Sequence, residues 1–392
     1  MDFKIPSDVR YILDRLESLG FSADIVGGSV RDLLLGRSPE DYDITTSAMP
    51  EEIKESFADL RTIDTGIKHG TVAILLNGKI YETTTYRVDG EYRDSRHPES
   101  VSFTKNITED LARRDFTVNA MAYSPKNGLT DPFDGRGDLD RGIIRAVGDP
   151  LLRFSEDALR ILRGIRFAAT FGFEIEDATS NALREKSNLL SNVSAERIFV
   201  ELRKTFSAPH SHKVFSEYSD VILTVIPSLS RLVLPCETAY EEADYLSRLL
   251  SVFYLSSDNA RGDFDLFATG LKTDTHFRKL GGSILSSVGK YDLQNYVGIT
   301  KSLRDIGAEA TRGLINLEIA VGRDAKVGLL DELLNDNVCY RLSDLKVGGA
   351  DMKALGLVGP QIGLTLDRLL TAVIDGEVEN DREALINFAK TN

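Results

Sequence analysis

The sequence predicts an α+β chain in which a small mixed α/β head precedes a long all-helical remainder. Three observations carry that prediction. The first is a strand–turn–helix passage, Ile25-Val26 running into Gly27-Gly28 and then Val30 to Leu35. The second is a hairpin signal. Thr71 to Leu76 and Ile80 to Arg87 flank Asn77-Gly78, a pair that supplies positive φ at both positions of a type I′ turn. The third is that, from Asp149 onward, apolar residues recur at helical spacing, as in Leu151 to Phe171, Ala195 to Phe206, Glu237 to Tyr254 and Ile362 to Asp375. No period of about 20–50 residues repeats, so a solenoid is not expected.

Bulk properties narrow the function classes. A chain of 392 residues is long enough for two or three domains with a full core. The net charge of −14 argues against a generic nucleic-acid binder. Any RNA must meet a local basic patch on an acidic exterior, which either favours one docking mode and quick release or serves solubility alone. No run of about 18 apolar residues occurs, and Met1 to Arg10 has no secretory apolar stretch, so no membrane association is expected. Cys236 and Cys339 lack metal-ligand spacing and read as ordinary buried thiols of a cytoplasmic protein. The five histidines include His210-Ser211-His212, which reads as an exposed loop pair. No Ser/His or Cys/His arrangement supports a nucleophilic hydrolase, which leaves the chemistry to carboxylates and arginines.

Taken in order, Val9 to Leu19 is an amphipathic helix ended by Gly20. The Gly27-Gly28 turn lets backbone N–H groups face a phosphate, with Gly28 and Arg31 at the start of a helix whose N-terminus favours anions. Asp41-Tyr42-Asp43-Ile44 reads as the next strand, on which Asp41 and Asp43 point to one face. Two carboxylates so placed can share a pair of Mg²⁺ ions ~3.5–4 Å apart, an arrangement suited to nucleotidyl transfer from a nucleoside triphosphate. Glu82, in the second hairpin strand, either adds a third carboxylate to that pair or braces neighbouring backbone. Val88 to Glu99 is charged and aperiodic and contains Gly90 and Pro98, which reads as a mobile loop or as a solvated surface loop.

Two further clusters suggest specificity. Arg113-Arg114-Asp115-Phe116-Thr117-Val118-Asn119-Ala120 combines guanidinium groups suited to phosphate or ribose oxygens with acceptors for a ribose 2′-OH. The same cluster also reads as a helix start with Asp115 near the macrodipole. In Phe154 to Arg166, Ser155 reads as an N-cap and Ala158, Leu162, Ile165 and Ala169 as the buried stripe. Asp157 and Arg160 then share an exposed helical face with Arg163 following. They form either an intrahelical salt bridge or a base-reading pair. Cytosine and adenine each present an amino donor beside a ring acceptor, and a carboxylate plus a guanidinium complements both. Uracil and guanine present the reverse order and leave buried polar groups unpaired.

On these motifs the chain resembles the class II tRNA nucleotidyltransferases, the bacterial CCA-adding enzymes of the polymerase-β-like superfamily. GGSVRDLLLG and DYDITT resemble the family's phosphate and metal motif, RRDFTVNAMA its ribose motif, EDALR its amino-acid template and AERIFVEL its helix-stabilising motif. YETTTYR and EYRDSRHPESVSF resemble its strand and flexible loop, and the segment from Leu345 to Lys390 resembles the C-terminal domain of Bacillus-type members. One departure is that Arg96 is followed by His97 where the family often has two arginines, which lowers the loop's charge near neutral pH.

The resemblance implies addition of C, C and A to tRNA 3′ ends from CTP and ATP without a nucleic-acid template. Asp41 and Asp43 would bind Mg²⁺, and Gly28 and Arg31 would contact the triphosphate. Arg114 and Asp115 would read the ribose end, Asp157 and Arg160 the base, and Arg163 and Arg166 would complete the pocket. It further implies a nucleotidyltransferase head at 1–145, a neck at 146–205, a body at 206–270 and a tRNA-gripping tail at 271–392, with no obligate protein partner. Alternatives within the family are an A-adding enzyme or a poly(A) polymerase, although Glu377 to Asn392 lacks the basic extension of the latter. An alternative of another class is a non-catalytic RNA-binding module on the same scaffold.

Overall fold

The computed structural model describes residues 3–90 and 101–391. The chain divides into two compact units, Met1–Val225 and Ile226–Asn392. The first begins with α1 (Ser7–Ser18), which buries Val9, Ile12, Leu13 and Leu16 at the spacing of one helical face. It continues through β1 (Ala23–Val26), α2 (Gly28–Leu34), β2 (Asp43–Thr46), α3 (Pro50–Ser56), β3 (Arg61–Gly66), β4 (Thr71–Leu76) and β5 (Lys79–Thr85). A two-stranded ribbon, β6 (Arg87–Asp89) and β7 (Val101–Phe103), precedes α4 (Ile107–Ala112), β8 (Ala122–Ser124) and β9 (Gly128–Thr130).

The main sheet has seven strands in the order β3-β4-β5-β2-β1-β8-β9. The β4–β5 turn takes the expected form, with φ 51° at Asn77 and 79° at Gly78. Strand β1 is buried throughout and pairs with β2 so that Val26 stands opposite Asp43. Strand β2 runs parallel to β5 with Ile44 opposite Thr83, which brings Glu82 level with Asp43 on the face away from the Ile44 core. Asp41 precedes the strand instead of lying within it, because the ladder begins at Asp43.

The same unit continues with α5 (Gly135–Arg141), β10 (Ile143–Ile144), α6 (Pro150–Glu156), α7 (Leu159–Phe171), β11 (Glu174–Ile175), α8 (Asp177–Glu185), α9 (Ala195–Phe206), α10 (Ser211–Glu217) and α11 (Ser219–Val225). Helix α7 packs against the head where Gly164 faces Phe116; a Cβ there would stand 3.0 Å from the ring. Phe116 meets Phe167 edge-on at 5.8 Å.

The second unit is helical: α12 (Glu237–Glu242), α13 (Tyr245–Ser256), α14 (Ala260–Gly270), α15 (Thr275–Leu285), α16 (Tyr296–Ala320), α17 (Val327–Asn335), α18 (Gly349–Ala354), α19 (Pro360–Ile374) and α20 (Arg382–Thr391). Phe253, Phe264, Phe267 and Phe277 interlock α13, α14 and α15. Helix α16 is kinked at Gly307, where φ is 79°. Its first half is joined to α19 by Lys301–Asp375 at 2.6 Å and Arg304–Asp367 at 2.5 Å.

Four sequence expectations are corrected. The stretch Leu151 to Phe171 is two helices, broken at Asp157, whose backbone is extended (φ −139°, ψ 102°). Ser155 is therefore no N-cap; its hydroxyl donates to the Leu151 carbonyl within α6, while Asp149 caps that helix through the Leu151 N–H. The stretch Glu237 to Tyr254 is likewise two helices, because Asp244 accepts from Ser247 N and starts α13. Cys236 is exposed at the start of α12, and only Cys339 is buried. As for Val88 to Glu99, Val88 and Asp89 lie in β6, and residues 91–99 fall outside the described ones. Among the described residues no helix is long and apolar enough to cross a membrane.

The β1 core holds a titratable group. Asp24 is 3% exposed and accepts from the Tyr86 hydroxyl at 2.7 Å. Burial pushes its carboxyl up to about 6, against the lowering by Tyr86 and with a contribution from Glu17. The folded value lies above the unfolded one, so this group's stabilisation is complete below about pH 4 and is lost as pH rises through about 6. Asp24→Asn keeps an acceptor for Tyr86. It should be more stable than the parent at pH 8, by at most ~3 kcal/mol, with about half of that gap left at pH 5 and none below about pH 4. Thermal melts at pH 8 and pH 5 check this, and an Asn variant less stable at pH 8 would contradict it.

Candidate active site

The site lies in the first unit, where β2 begins beside the middle of β5. Asp41, Asp43 and Glu82 line a cavity of about 850 Å³ together with Glu40, Tyr42 and Tyr81. Asp43 and Glu82 also line a second cavity of about 190 Å³, together with Thr45, Arg113 and Arg114. Burial in the cleft raises the Asp43 carboxyl, opposed by Arg114 and reinforced by Asp41.

Gly27 makes this approach possible. Its φ is +74°, and a Cβ there would come 3.0 Å from Arg114 Nη1. Helix α2 then opens at Gly28, where backbone N–H groups have no intrahelical acceptor. Burial lowers the Arg114 guanidinium pKa, with Asp110 the largest opposing influence. Arg114 Nε is buried without a hydrogen-bond partner among the described residues. An orphaned donor beside carboxylates suits an anionic oxygen ligand that also carries a cation.

The ribose motif is not a helix start. Arg113 closes α4, and Asp115 sits between that helix and a short 3₁₀ turn at Thr117–Asn119. Asp115 accepts from Asn119 Nδ2 at 3.1 Å and pairs with Arg163 at 2.6 Å. Burial would raise its carboxyl, but Arg163, Asn119 and Arg160 outweigh that and hold it at about 2. Asp115 raises the Arg163 pKa in turn.

Asp157 and Arg160 do not share an exposed helical face. The break at Asp157 separates them: Asp157 accepts from Leu159 N at 3.1 Å and pairs with Arg197 of α9 at 2.8 Å. Arg160 is 9% exposed. Its Nη1 donates to Glu156 Oε2 at 2.7 Å and to the Arg153 carbonyl at 3.2 Å, and its Nη2 donates to the Arg113 carbonyl at 2.8 Å. Of the five N–H donors of a guanidinium, these leave Nε–H and one on Nη2. Asp157 likewise keeps carboxylate lone pairs beyond those used. Arg166 pairs with Glu201 of α9 at 2.5 Å and stacks 4.1 Å over Phe167; burial lowers its pKa.

Arg31 joins this cluster through Asn119, which also donates to Asp115, and through Phe167. Its guanidinium donates to Asn119 Oδ1 at 2.6 Å and to Asp32 at 2.9 Å, and lies 4.8 Å over Phe171 and 5.3 Å over Phe167. It therefore ties head to neck. Glu156 and Asp110 were not singled out from sequence; Asp110 could have been, since it lies i−3 and i−4 to Arg113 and Arg114.

Among the described residues, no group of three or more His, Cys, Asp or Glu could hold a metal ion alone. One or two carboxylates completed by substrate phosphates and water is the way Mg²⁺ is commonly held at nucleotide sites, and the Asp41/Asp43 edge fits that donor set.

Residues 23–145 match the family described as Poly A polymerase head domain, and residues 172–224 the one described as Probable RNA and SrmB- binding site of polymerase A. The CCA-adding enzyme of Streptococcus thermophilus is 37% identical over 97% of this chain and 95% of its own length. That of Lactobacillus gasseri is 35% identical over 97% of this chain and 96% of its own. Among solved structures, the Bacillus stearothermophilus CCA-adding enzyme in complex with CTP superimposes with a TM-score of 0.78 at 30% identity, covering 97% of this chain and 95% of that one. The Thermotoga maritima CCA-adding enzyme complexed with tRNA shares the fold at a TM-score of 0.70 and 23% identity, covering 99% of this chain and 96% of that one.

Proposed function

Because the chain belongs to the CCA-adding enzymes, nucleotidyltransferases that act on tRNA 3′ ends, we propose that its first unit transfers C, C and A from CTP and ATP by the residues described above. The observation that carries this assignment is the shared cavity: Asp43, Glu82, Arg113 and Arg114 line one small space. Carboxylates for a metal and guanidinium groups for phosphates thus meet at one point.

Asp41 and Asp43 would hold Mg²⁺, which when bound supplies positive charge to the attacking hydroxyl and the leaving phosphates. Gly28 offers backbone N–H groups to the triphosphate, and Arg31 adds its charge from the seam where Asn119 and Asp32 hold it. Arg114 contacts the sugar–phosphate end, and Asp115 accepts from the ribose 2′-OH, which selects NTP over dNTP. Asp157 accepts the amino group of cytosine or adenine. Arg160 donates its remaining edge to the ring acceptor. Arg163 and Arg166 close the pocket, held by Asp115 and Glu201. The tRNA 3′-hydroxyl attacks the α-phosphorus, the bond to the β-phosphate oxygen breaks, and pyrophosphate leaves. We assign the head to 1–145 and the neck to 146–205, with the body at 206–270 and the tail at 271–392 gripping the tRNA.

The test uses tRNAs lacking the whole CCA end, the final CA or only the final A, each incubated with one nucleotide. We expect CTP to extend the first by two residues and the second by one, and ATP to extend only the third. Extension by ATP alone, with no use of CTP, would identify an A-adding enzyme, and a run of A residues a poly(A) polymerase. No incorporation would leave only RNA binding. Asp115→Ala should in addition lower the preference for ATP over dATP by about tenfold, since one hydrogen bond to a charged acceptor is lost.

A further inference from the structure

We propose that Asp110 is a positioning residue of this site: its buried charge fixes the Arg113–Arg114 pair and keeps Arg114 from folding onto Asp43. The inference rests on the roles proposed above for Asp43 and Arg114. Asp110 is fully buried on α4. Its Oδ1 accepts from Arg113 Nη2 at 2.7 Å and Nε at 3.1 Å, and from the Arg87 backbone N–H at 3.2 Å. Its Oδ2 stands 3.5 Å from Arg114 Nη2 and 3.5 Å from Thr45 Oγ1 on the strand of Asp43. One carboxylate therefore ties together both arginines, the ribbon at Arg87 and the strand β2.

The electrostatics give that position a consequence. Two adjacent guanidinium groups repel. Arg113 also lies 3.8 Å from Asp89, whereas Arg114 has Asp110 as its carboxylate partner among the described residues. Arg114 and Asp43 line the same 190 Å³ cavity. If Asp110 loses its charge, the acidic side chains left lining that cavity are Glu82 and Asp43, the carboxylate assigned to the metal. Arg114 would then compete with the cation for Asp43 and cease to face the nucleotide.

Two variants separate charge from shape. Asp110→Asn keeps the shape and the acceptor for Arg87 N–H but loses the charge; Asp110→Glu keeps the charge and perturbs the packing. Mn²⁺ binding to the nucleotide-free protein is read by electron paramagnetic resonance, beside KM and kcat for CTP and thermal melting. We expect Asp110→Asn to weaken Mn²⁺ binding and raise the KM for CTP by about tenfold each, with a smaller change in kcat. Asp110→Glu should stay within about twofold on both affinities even where it melts lower. An Asn variant with parental Mn²⁺ affinity and KM overturns the proposal, as does a Glu variant that loses as much as Asn. Should the Asn variant fail to fold, the Glu variant decides alone. Parental Mn²⁺ binding by Asp43→Ala would instead remove the underlying metal assignment, whatever the Asp110 variants do.

Discussion

Asp43→Ala should abolish incorporation of both C and A, by at least about three orders of magnitude in single-turnover rate, while tRNA binding stays within about twofold. Asp43 and Glu82 line both the carboxylate cavity and the arginine-lined cavity, and Asp43 is the one assigned to the metal, so its loss removes a proposed metal ligand. It stands at the first position of β2, where the backbone ladder with β1 needs no side chain, so the fold should survive. Asp41→Ala should give the same phenotype, since Asp41 lines the same larger cavity just ahead of the strand. Labelled CTP and ATP report the chemistry, and a gel shift reports tRNA binding. Turnover like the parent's in either variant would remove the two-carboxylate assignment.

Arg160→Ala should cost less in rate and more in fidelity. Contacts of Nη1 and Nη2 to Glu156 and two carbonyl groups fix the guanidinium and leave its Nε edge for the base. Removing that edge deletes the donors that distinguish a ring acceptor from a ring N–H. Discrimination against UTP and GTP should fall by roughly one to two orders of magnitude, the equivalent of ~1–3 kcal/mol. Glu156 keeps its partner Arg153, so the neck is not left with an uncompensated buried charge. Competition among the four NTPs in single-addition assays measures the effect. Unchanged discrimination would mean that the base is read elsewhere. Arg160→Lys should discriminate nearly as poorly as Ala, because a point charge cannot reproduce a planar fork.

The parts of the site legible in the sequence are those set by near neighbours. Asp41 and Asp43 are two residues apart at a strand entrance, and Asn77-Gly78 can form its turn with local information alone. What sequence hid was set by partners far along the chain. The break at Asp157 is invisible to periodicity, because apolar residues continue at helical spacing on both sides. Arg197, 40 residues away, and the Leu159 N–H hold Asp157 in its extended conformation. Arg31 reads as a phosphate ligand beside two glycines, yet Asn119, 88 residues away, and the rings of α7 engage its guanidinium. Asp110 lies three and four residues before Arg113 and Arg114, but its full burial is set by contacts with β2 and β6.

Structures of this chain with CTP and with ATP, each with Mg²⁺, test the assignment of base choice to protein side chains most directly. The expected result is the cytosine N4 amino group, or the adenine N6 amino group, on the Asp157 carboxylate. The ring acceptor then lies on the Nε edge of Arg160, and the triphosphate runs from Arg114 toward Asp43. A base whose amino edge faces any other residue, with Arg160 making only its present contacts to Glu156 and the carbonyls of Arg153 and Arg113, would contradict it.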